Sequence, residues 1–407
     1  MMPLKGAAVM LSTVHFRNFK VLRNVSISLE RMTVLVGANG CGKSSVLQGL
    51  DWLLAMTRRH EGEGSLVNGR AGAFFSGNRS LNYLRSKPET DDDVEIEINT
   101  TANRIFGIAG MRKHPGSNMD EFSLKLGPPG RLRGVLLPHE RSSDVVAGVT
   151  ELLDSSDFWC ELDSQNLPLV ARTRLNPDVL SQDHFNQLDV PKIALNGEGL
   201  ASRLRYLAGL RDGSLEEIER GLTLVVPGAR RIRTLPQRMR HVVYEQITVG
   251  GETHLVPVTK EILGDRFEVE FEKTGWIPAD LLSEGTLIAL ALLTVLHGPE
   301  RANLVLLDDI DKGLHPSAQA RLLKGIREVL KQYEQLQIVC TSHSPYLIDN
   351  FDVKEVRVMD LDEDGYSICK ALTEHPELDE WNAVLQAGEF WSSVGGDWVR
   401  SGSQNVK

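Results

Sequence analysis

The chain has 407 residues and a formal net charge of −10, from 45 Lys and Arg against 55 Asp and Glu. A length of this order corresponds to about two or three domains, and the acidic balance argues against a surface that binds polyanions over its whole extent. The longest apolar run, Leu287–Leu296, is too short to cross a bilayer, and the four cysteines form no CxxC pair that would indicate a zinc site. We therefore expect a cytoplasmic protein with no membrane association.

The first 60 residues predict three short strands followed by a glycine-rich loop and a helix. His15–Leu22 and Val25–Leu29 alternate or cluster as strands do, and Met32–Val36 is a run typical of a buried strand. From Lys43 onward, apolar residues recur at helical spacing. Strand, glycine loop and helix follow one another in the order that a phosphate-binding turn requires.

The glycine loop is a complete P-loop, Gly37-x-x-x-x-Gly42-Lys43-Ser44. Its glycines allow backbone amides to converge on phosphate oxygens, and the helix that follows presents its positive N-terminus to them. Lys43 would reach the β- and γ-phosphates of a nucleotide, and Ser44 would ligate Mg²⁺. The alternative is a glycine turn that binds nothing. The predicted nucleotide-binding residues of this loop are Gly37, Asn39, Gly40, Cys41, Gly42, Lys43, Ser44 and Ser45.

The middle of the chain carries weaker patterns. Val94–Asn99 alternates like a strand with one wet face, Gly197–Leu210 and Leu215–Leu224 have helical patterns, and several strands separated by turn residues are predicted from Arg240 to Glu272. Residues 110–195 show no sustained period. Because no heptad pattern persists, we do not expect a long coiled-coil arm.

The last third predicts strands that alternate with helices. Leu287–Leu296 has the pattern of a buried helix, Leu304–Leu307 and Leu336–Cys340 of buried strands, and Ser317–Tyr333 of an amphipathic helix. Such alternation predicts a parallel sheet with helices on its faces. A hairpin over residues 356–370 would finish the sheet.

Two polar sites directly follow these buried strands. Asp308, after the first of them, would hold Mg²⁺ through water, and Asp309 would act as a general base on the attacking water. His343, after the second, would contact the γ-phosphate from the carboxyl edge of the sheet. The structural alternatives are two acids that cap a strand end and a histidine with no role in chemistry.

Ser283 and Gly285, which precede the apolar helix, form a further candidate site. A Ser hydroxyl, a Gly amide and a helix N-terminus together make an anion site. One chain does not easily place two helix N-termini on the same γ-phosphate, so we interpret this site as completing the phosphate pocket of a second subunit. Ser and Gly also cap helices, and the motif therefore depends on its order and spacing relative to the others.

The segments GANGCGKSS, LLSEGT, LVLLDDIDKGLHP and CTSHSP, in this order, resemble the Walker A, signature, Walker B with D-loop, and H-switch motifs of ABC-type ATPases. The opening HFRNFKVL, shortly before the P-loop, is similar to the SMC/RecF/OLD branch of that family rather than to transporter subunits. The stretches PGAR, WIPAD and GEFW resemble compact bacterial AAA-family ATPases that occur in anti-phage defence operons. The resemblance covers about half of the chain, mainly its two ends.

This resemblance implies an α/β P-loop NTPase fold, that is, an ABC-type ATPase head with a mostly parallel sheet flanked by helices plus an inserted α+β subdomain. It implies ATP and Mg²⁺ as cofactors and a homodimer, or a higher assembly, that sandwiches the nucleotides. Arg17 and Asn18 match the family's N-terminal strand and would touch the nucleotide. The remaining ligands implied for each nucleotide come from one chain, Lys43, Ser44, Asp308 and His343, and from the other, Ser283 and Gly285.

Lys43 and Asp308 are 265 positions apart, roughly twice the spacing in a transporter subunit. We attribute the excess to an inserted subdomain. The predicted division is an N-terminal ATPase lobe over 1–110, a partly helical insertion over 111–220, a β-rich segment with a basic cluster over 221–275, a C-terminal ATPase lobe over 276–372 and a tail over 373–407.

The chain departs from the family pattern at two places. The family usually has Asp-Glu at the position of Asp308-Asp309, and the shorter side chain leaves about 1.5 Å more to span towards a water molecule, so we expect slow hydrolysis that suits a switch. No Q-loop glutamine lies within residues 49–164. Glu140 and Arg141, in an element similar to one of the subfamily, would line the site instead, or would form a surface salt bridge.

Five arginines lie within eleven residues: Arg230, Arg231, Arg233, Arg238 and Arg240. This basic cluster would contact a nucleic-acid backbone, dock an acidic partner, or pair with neighbouring acids such as Glu216, Glu217 and Glu219. No aromatic residue interleaves the cluster, which weakens the case for single-stranded nucleic acid.

We weigh four functions. The first is an ATP-driven dimeric switch that controls a separately encoded effector, a nuclease or toxin, in defence against phage. The 58 residues after Asp349 are too few for the Toprim domain of an OLD-type nuclease, which favours this hypothesis. The alternative is a RecF-type DNA-binding ATPase in DNA repair. A transporter subunit is disfavoured by the long insertion, and the fourth hypothesis is a module that binds ATP without turnover.

Overall fold

The structure is a computed structural model that describes residues 10–56, 95–100, 105–113, 119–126, 132–138, 170–183, 190–249, 252–298, 302–381 and 385–400. The chain divides into two compact units, which are described one after the other. The P-loop unit comprises residues 1–172, 302–311 and 330–407, and the signature unit comprises 173–301 and 312–329. No helix within the described ranges has the length and apolar content that a bilayer crossing demands.

The first sheet of the P-loop unit is antiparallel, with strand order β2-β1-β4-β5-β6-β7. Its strands are β1 (Leu11–Phe19), β2 (Leu22–Ser28), β4 (Glu95–Thr100), β5 (Ile105–Lys113), β6 (Met119–Leu126) and β7 (Leu132–Pro138). The segment 111–220, expected to be a partly helical insertion, thus begins with strands that continue this sheet. Among the described residues of this segment, the helices lie from Pro177 onward.

The second sheet has the order β15-β14-β3-β13-β12-β8, and it confirms the predicted parallel arrangement. β14, β3, β13 and β12 run parallel to their neighbours, and β15 closes one edge as the antiparallel half of the predicted hairpin. The strands are β3 (Met32–Gly37), β8 (Val170–Thr173), β12 (Leu304–Leu307), β13 (Gln337–Thr341), β14 (Val356–Leu361) and β15 (Ser367–Ala371). β3 and β13 are buried along their whole length, as the uniformly apolar runs predicted.

The helix that follows the P-loop, α1 (Lys43–Met56), packs against the first sheet. Its apolar positions join one hydrophobic core with β1 and β4, because they repeat at helical spacing. Gly49 allows the close approach, since a Cβ at this position would lie 2.4 Å from Cε1 of Phe16. The core therefore fixes the helix that carries the P-loop lysine at its first position.

The signature unit contains helices and one long two-stranded ribbon. Its longer helices are α2 (Leu200–Leu210), α3 (Ser214–Val225), α4 (Glu284–Leu296) and the greater part of α5 (Pro316–Gln332). The ribbon consists of β9 (Ala229–Val249) and β10 (Glu252–Phe271), with the short β11 (Gly275–Pro278) added to β10. The segment before Walker B that the sequence grouped with the C-terminal lobe, residues 276–301, thus clusters with the ribbon.

The prediction of several short strands from Arg240 to Glu272 was wrong in one respect: the strands are two continuous ones. Their pairing register is unbroken from Val249 opposite Glu252 to Arg231 opposite Glu270. Pro236 and Gly264 lie inside the strands, Pro236 opposite Asp265 and Gly264 opposite Gln237. A two-stranded ribbon tolerates them because each strand has an unpaired edge.

The C-terminal segment is a packed part of the P-loop unit. Its helix α6 (Ala387–Val394) follows several single helical turns and lies against the turn Pro345–Ile348. The backbone amides of Gly388 and Glu389 donate to Oδ1 of Asp349, at 2.8 and 3.0 Å. The remaining short helical segments are Pro177–Leu180, Ala279–Leu281, Val353–Glu355, Leu372–Glu374, Leu378–Trp381 and Asp397–Arg400.

Gly388 is the position at which we expect a single methyl group to undock this segment. A Cβ there would lie 2.0 Å from the carbonyl oxygen of Pro345, whereas a Cβ on Gly209 in α2 would have no atom of the described residues within 4 Å. Gly388→Ala is expected to lower the free energy of unfolding by about 1–3 kcal/mol. Gly209→Ala, the matched control, should leave it unchanged or raise it by about 0.5–1 kcal/mol. Thermal unfolding followed by circular dichroism measures both, and equal midpoints would contradict the packing described here.

Candidate nucleotide-binding and hydrolysis site

Three glycines shape the loop between β3 and α1. Gly37, Gly40 and Gly42 have φ values of 145°, 83° and 100°, which other residues rarely adopt. A Cβ on Gly37 would lie 2.0 Å from the carbonyl oxygen of Met359, and a Cβ on Gly42 would lie 2.4 Å from Oγ of Ser367. A Cβ on Gly40 would have no atom of the described residues within 4 Å. The loop is therefore packed on one side and open at Gly40.

Lys43 folds back over its own loop. Its Nζ donates to the carbonyl oxygens of Gly37, at 2.9 Å, and Ala38, at 2.8 Å, and it lies 3.7 Å from Sγ of Cys41. The residue is 6% exposed. A buried ammonium group whose partners are neutral suits a polyphosphate, because phosphate oxygens make stronger, charge-assisted hydrogen bonds than carbonyls do.

The buried cysteines are neutral packing groups. Burial raises the pKa of the Cys41 thiol although Lys43 opposes this effect, and burial also raises the pKa of Cys340. Burial raises the pKa of Cys369 to about 12. These thiols therefore stay protonated at neutral pH, and the predicted role of Cys41 in binding falls to its backbone amide rather than to its sulfur.

Asp308 and Ser44, the predicted metal ligands, are in direct contact. Oγ of Ser44 donates to Oδ1 of Asp308 at 2.9 Å, although the two residues are 264 positions apart. Oδ2 of Asp308 is buried and has no hydrogen-bond partner among the described residues. A hydroxyl beside a carboxylate with one oxygen that accepts no hydrogen bond fits Mg²⁺, which prefers oxygen ligands and keeps several waters that need acceptors.

Arg172 is a neighbour of this site that the sequence analysis missed. It lies on the edge strand β8, is buried, and places Nη2 3.5 Å from Oδ2 of Asp308. A buried carboxylate needs such a compensating charge. The available signal was an arginine inside a short strand, but nothing in the local pattern connects it with a residue more than 130 positions away.

Asp309 has a different environment from its neighbour. Its backbone is left-handed, with φ of 55°, and its amide donates to Oγ1 of Thr341 at 2.8 Å. Asp and Asn adopt this region more readily than other residues with a side chain. The side chain is part-exposed while that of Asp308 is buried, so the two consecutive acids are separated by the turn.

His343 is exposed, two residues after the end of β13. Its backbone amide donates to Oδ1 of Asp311 at 3.3 Å. β3, β13 and β12 are adjacent parallel strands, so their carboxyl ends meet at one edge of the sheet. The P-loop, Asp308 and His343 therefore share the edge at which open α/β sheets bind ligands.

Ser283 and Gly285 lie in the signature unit. Ser283 caps α4: its Oγ accepts from the amide of Thr286 at 3.3 Å and lies 2.9 Å from Oγ1 of the same residue. Ser283 itself is exposed. Gly285 sits close to the D-loop, where a Cβ would lie 3.2 Å from the carbonyl oxygen of Gly313. The capping role is present, and the capped helix end is open to solvent.

Arg17 and Asn18, at the end of β1, differ in exposure. Arg17 is exposed and stands opposite Asn24 of β2 and Glu95 of β4. Asn18 is 7% exposed and has a left-handed backbone, with φ of 55°. Glu140 and Arg141, the proposed substitutes for the Q-loop, lie outside the described residues.

The basic cluster is largely paired within the ribbon. Arg230 contacts Glu272 at 2.7 Å, Arg233 forms an ion pair with Glu268, and Arg238 lies 4.0 Å from Glu261. These three partners come from β10 and the residue after it, and Arg231 interacts electrostatically with Glu219 of α3, one of the acids named as possible partners. Arg231 is exposed and stands opposite Glu270, and the side chain of Arg240 lies outside the described residues. The pairing lowers the charge available to a phosphate backbone.

The ring of Trp276 lies 4.3 Å from the guanidinium of Arg233. It is an aromatic neighbour from β11 that the sequence spacing does not show. This stacking further fixes the arginine against its own unit.

Comparison with known proteins adds independent information. The family model "AAA domain, putative AbiEii toxin, Type IV TA system" matches residues 158–349, and the model "AAA ATPase domain" matches residues 10–111. The probable ATPase of retron Ec83 from Escherichia coli is 22% identical over 407 aligned positions, which cover 87% of this chain and 72% of that protein. The Septu protein PtuA of Bacillus thuringiensis is 34% identical over 62 residues, 15% of each chain.

Solved structures share the fold. An SMC head bound to the C-winged helix domain of ScpA superposes with a TM-score of 0.51 at 15% identity, covering 88% of this chain and 96% of that one. The SMC head from Pyrococcus furiosus, with an extended coiled coil, gives 0.52 at 14% identity, covering 92% and 100%. The chain resembles ABC-type ATPases of the SMC/RecF branch: it has the fold of SMC heads, and AAA ATPase family models match two segments of it. The predicted family and fold class are thereby confirmed.

The two family models fall on the two halves of this ATPase site. The range matched by the model "AAA ATPase domain", 10–111, contains the P-loop. The range matched by the other model, 158–349, contains the signature, Walker B and His343 segments. ATP binding and ATPase activity in general are therefore properties of the class to which this chain belongs.

Proposed function

We propose that the protein is a magnesium-dependent ATPase in which two copies close on two ATP molecules, and that this dimer acts as a switch for a separately encoded effector in defence against phage. The observation that supports it best is the contact between Ser44 and Asp308 beside the P-loop, in which the second, buried carboxylate oxygen accepts no hydrogen bond and has Arg172 at 3.5 Å.

Nucleotide binding would use the open loop and its lysine. The backbone amides around Gly40 and the ammonium of Lys43 would take the β- and γ-phosphates, which displace the neutral carbonyls from Nζ. Ser44 and Asp308 would hold Mg²⁺, which would neutralise negative charge that develops on the phosphates.

Hydrolysis would depend on Asp309 and His343. The carboxylate of Asp309 would orient the attacking water and take its proton, and His343, exposed at the same sheet edge, would contact the γ-phosphate. Aspartate reaches less far than the usual glutamate, so we propose that turnover is slow and that the ATP-bound state is long-lived. A long-lived bound state is the property that a switch requires.

Asp309→Asn is expected to reduce ATP turnover at least 100-fold while ATP still binds, because it removes the proton acceptor. Asn has nearly the same size and also tolerates the left-handed backbone, so the turn should persist. Phosphate release and binding of a fluorescent ATP analogue measure the two properties separately. Asp364→Asn, the same change on an exposed hairpin turn, is the control; wild-type turnover in the Asp309 variant would exclude this residue as the base.

Dimer closure would supply the last ligands. The N-terminus of α4 is capped by Ser283 and open to solvent, so a second copy can be approached by this helix end. Ser283 and Gly285 of one copy would contact the γ-phosphate of the ATP on the other copy's P-loop through hydroxyl and amide donors. ATP would then hold two chains together, and hydrolysis would release them.

The role in defence is supported by two relatives that the comparisons found, a retron ATPase and a Septu protein. We propose that the effector is a nuclease or toxin and that its contact with this chain depends on the bound nucleotide. Pull-down of the tagged Asp309→Asn chain with ATP and Mg²⁺ should retain the product of an adjacent gene, and the same chain without nucleotide should not. Equal recovery with and without nucleotide would contradict the switch.

A DNA-binding ATPase of the RecF type predicts a different result. It requires salt-dependent duplex binding by the purified protein, lost when Arg230, Arg231 and Arg233 are neutralised. Two of these three arginines are already paired with glutamates in the ribbon, which favours the switch over this alternative.

A further inference from the structure

The hydroxyl of Thr341 joins the two acids on which the proposed chemistry depends. Thr341 is the last residue of β13 and is fully buried. Its Oγ1 lies 2.9 Å from Oδ1 of Asp308 and 2.8 Å from the amide nitrogen of Asp309. We propose that Thr341 is a positioning residue for ATP hydrolysis, a role that rests on the proposed hydrolysis at this site.

The direction of both hydrogen bonds follows from the chemistry of the groups. The amide of Asp309 can only donate, so Oγ1 of Thr341 accepts from it. A threonine hydroxyl has one hydrogen, and that hydrogen is left for the carboxylate of Asp308, which accepts it. Both bonds can therefore exist at once and are not alternatives.

The hydrogen bond from Thr341 to Asp308 helps to decide which carboxylate oxygen of Asp308 accepts no hydrogen bond. Oδ1 accepts from Ser44 and from Thr341, each at 2.9 Å, whereas Oδ2 has no hydrogen-bond partner within the described part of the chain. Two donors on one oxygen fix the rotation of the carboxylate. The group that would accept from water on Mg²⁺ is thus set in place by β13, and not only by the strand that carries Asp308.

The hydrogen bond from the Asp309 amide to the Thr341 hydroxyl holds the turn at Asp309. The left-handed residue is tied by its amide to the Thr341 side chain, and the next amide, that of Ile310, donates to the Thr341 backbone carbonyl at 3.1 Å. Two consecutive amides of the turn are therefore bound to a single residue of the neighbouring strand. The position of the water-orienting carboxylate relative to the metal carboxylate depends on this residue.

The test compares Thr341→Val, which keeps the shape and removes the hydroxyl, with Thr341→Ser, which keeps the hydroxyl. For Thr341→Val we expect kcat to fall and the Mg²⁺ concentration for half-maximal nucleotide binding to rise, each by about 10-fold or more, as is typical for groups that orient metal ligands. Binding of a fluorescent ATP analogue without Mg²⁺ should change little. Thr341→Ser should remain within about 3-fold of the wild type in each measurement.

A purely structural role would lower the midpoint of thermal unfolding and leave kcat and the Mg²⁺ dependence of the folded protein unchanged, and that result would overturn the proposal. A Thr341→Ser variant as impaired as Thr341→Val would overturn it as well. If Thr341→Val does not fold, Thr341→Cys carries the same test, because a thiol is a much weaker donor of similar size; wild-type kcat and Mg²⁺ dependence in that variant would be the negative outcome. A wild-type chain without turnover would remove the proposed hydrolysis, while the Mg²⁺ dependence of binding would still decide the role of Thr341.

Discussion

Lys43→Ala is expected to abolish ATP binding at micromolar nucleotide and, with it, all turnover. Lys43 is the only cationic side chain of the loop from Gly37 to Ser45, and it is buried against two carbonyls that a phosphate would replace. Charge-assisted hydrogen bonds contribute about 1.5–3 kcal/mol each, so the loss of those to two phosphates corresponds to a weakening of at least about 100-fold in Kd.

Isothermal titration with ATP and Mg²⁺ measures this change, and phosphate release measures its consequence. Lys324→Ala, which removes an exposed lysine from α5, is the control for the loss of one positive charge. Circular dichroism should show that both variants are folded. ATP binding and hydrolysis at wild-type levels in Lys43→Ala would remove the P-loop assignment and the proposed function together.

Mixing two inactive variants should restore activity if the ATP site is shared between chains. Lys43→Ala removes the phosphate contact of a chain's own loop, and Ser283→Arg places a bulky cation at the helix end that the chain would offer to its partner. In a mixed dimer, one site has both defects and the other has none. An equal mixture with random pairing should therefore regain about a quarter of the wild-type turnover per chain, because half of the dimers are mixed and each has one intact site.

Two controls separate this result from simpler causes. Ser283→Ala removes the cap of α4, worth about 1 kcal/mol, without adding bulk, and it measures what the loss of the cap alone does. A chain that carries both Lys43→Ala and Ser283→Arg forms only dimers in which both sites are defective, so it should show no ATP turnover. If Ser283→Arg by itself hydrolyses ATP normally, the signature residues do not complete a partner's site.

Local patterns were sufficient to predict the strands, the loop and the helix around the P-loop. The P-loop, each buried strand and the pair of acids after Leu307 are each a short contiguous stretch. Each motif can therefore be recognised without knowledge of its neighbours in space. The parallel sheet follows from the alternation of strands and helices in the last third, and the structure confirms it. The contact between Ser44 and Asp308 was predictable because the family motifs name both residues.

Long-range contacts were not predictable in this way. Arg172 and Thr341 acquire their significance only when β8 and β13 lie beside β12, and no periodicity indicates such neighbours. The ribbon was divided wrongly because the local pattern does not show the pairing partner, which continues through residues 259–265. Threonine at a strand end is also common, so its hydroxyl offers no signal in the sequence alone.

In the proposed mechanism, the left-handed backbone of Asp309 would link the speed of hydrolysis to the shape of the loop after Walker B. The position favours amino acids with short polar side chains, and glutamate, whose extra methylene would reach further, is not among those that enter this region easily. Asp309→Glu would therefore place a longer carboxylate on a backbone that glutamate adopts less easily than aspartate. In the proposed switch, the lifetime of the ATP-bound dimer would thus depend on one torsion angle of the backbone.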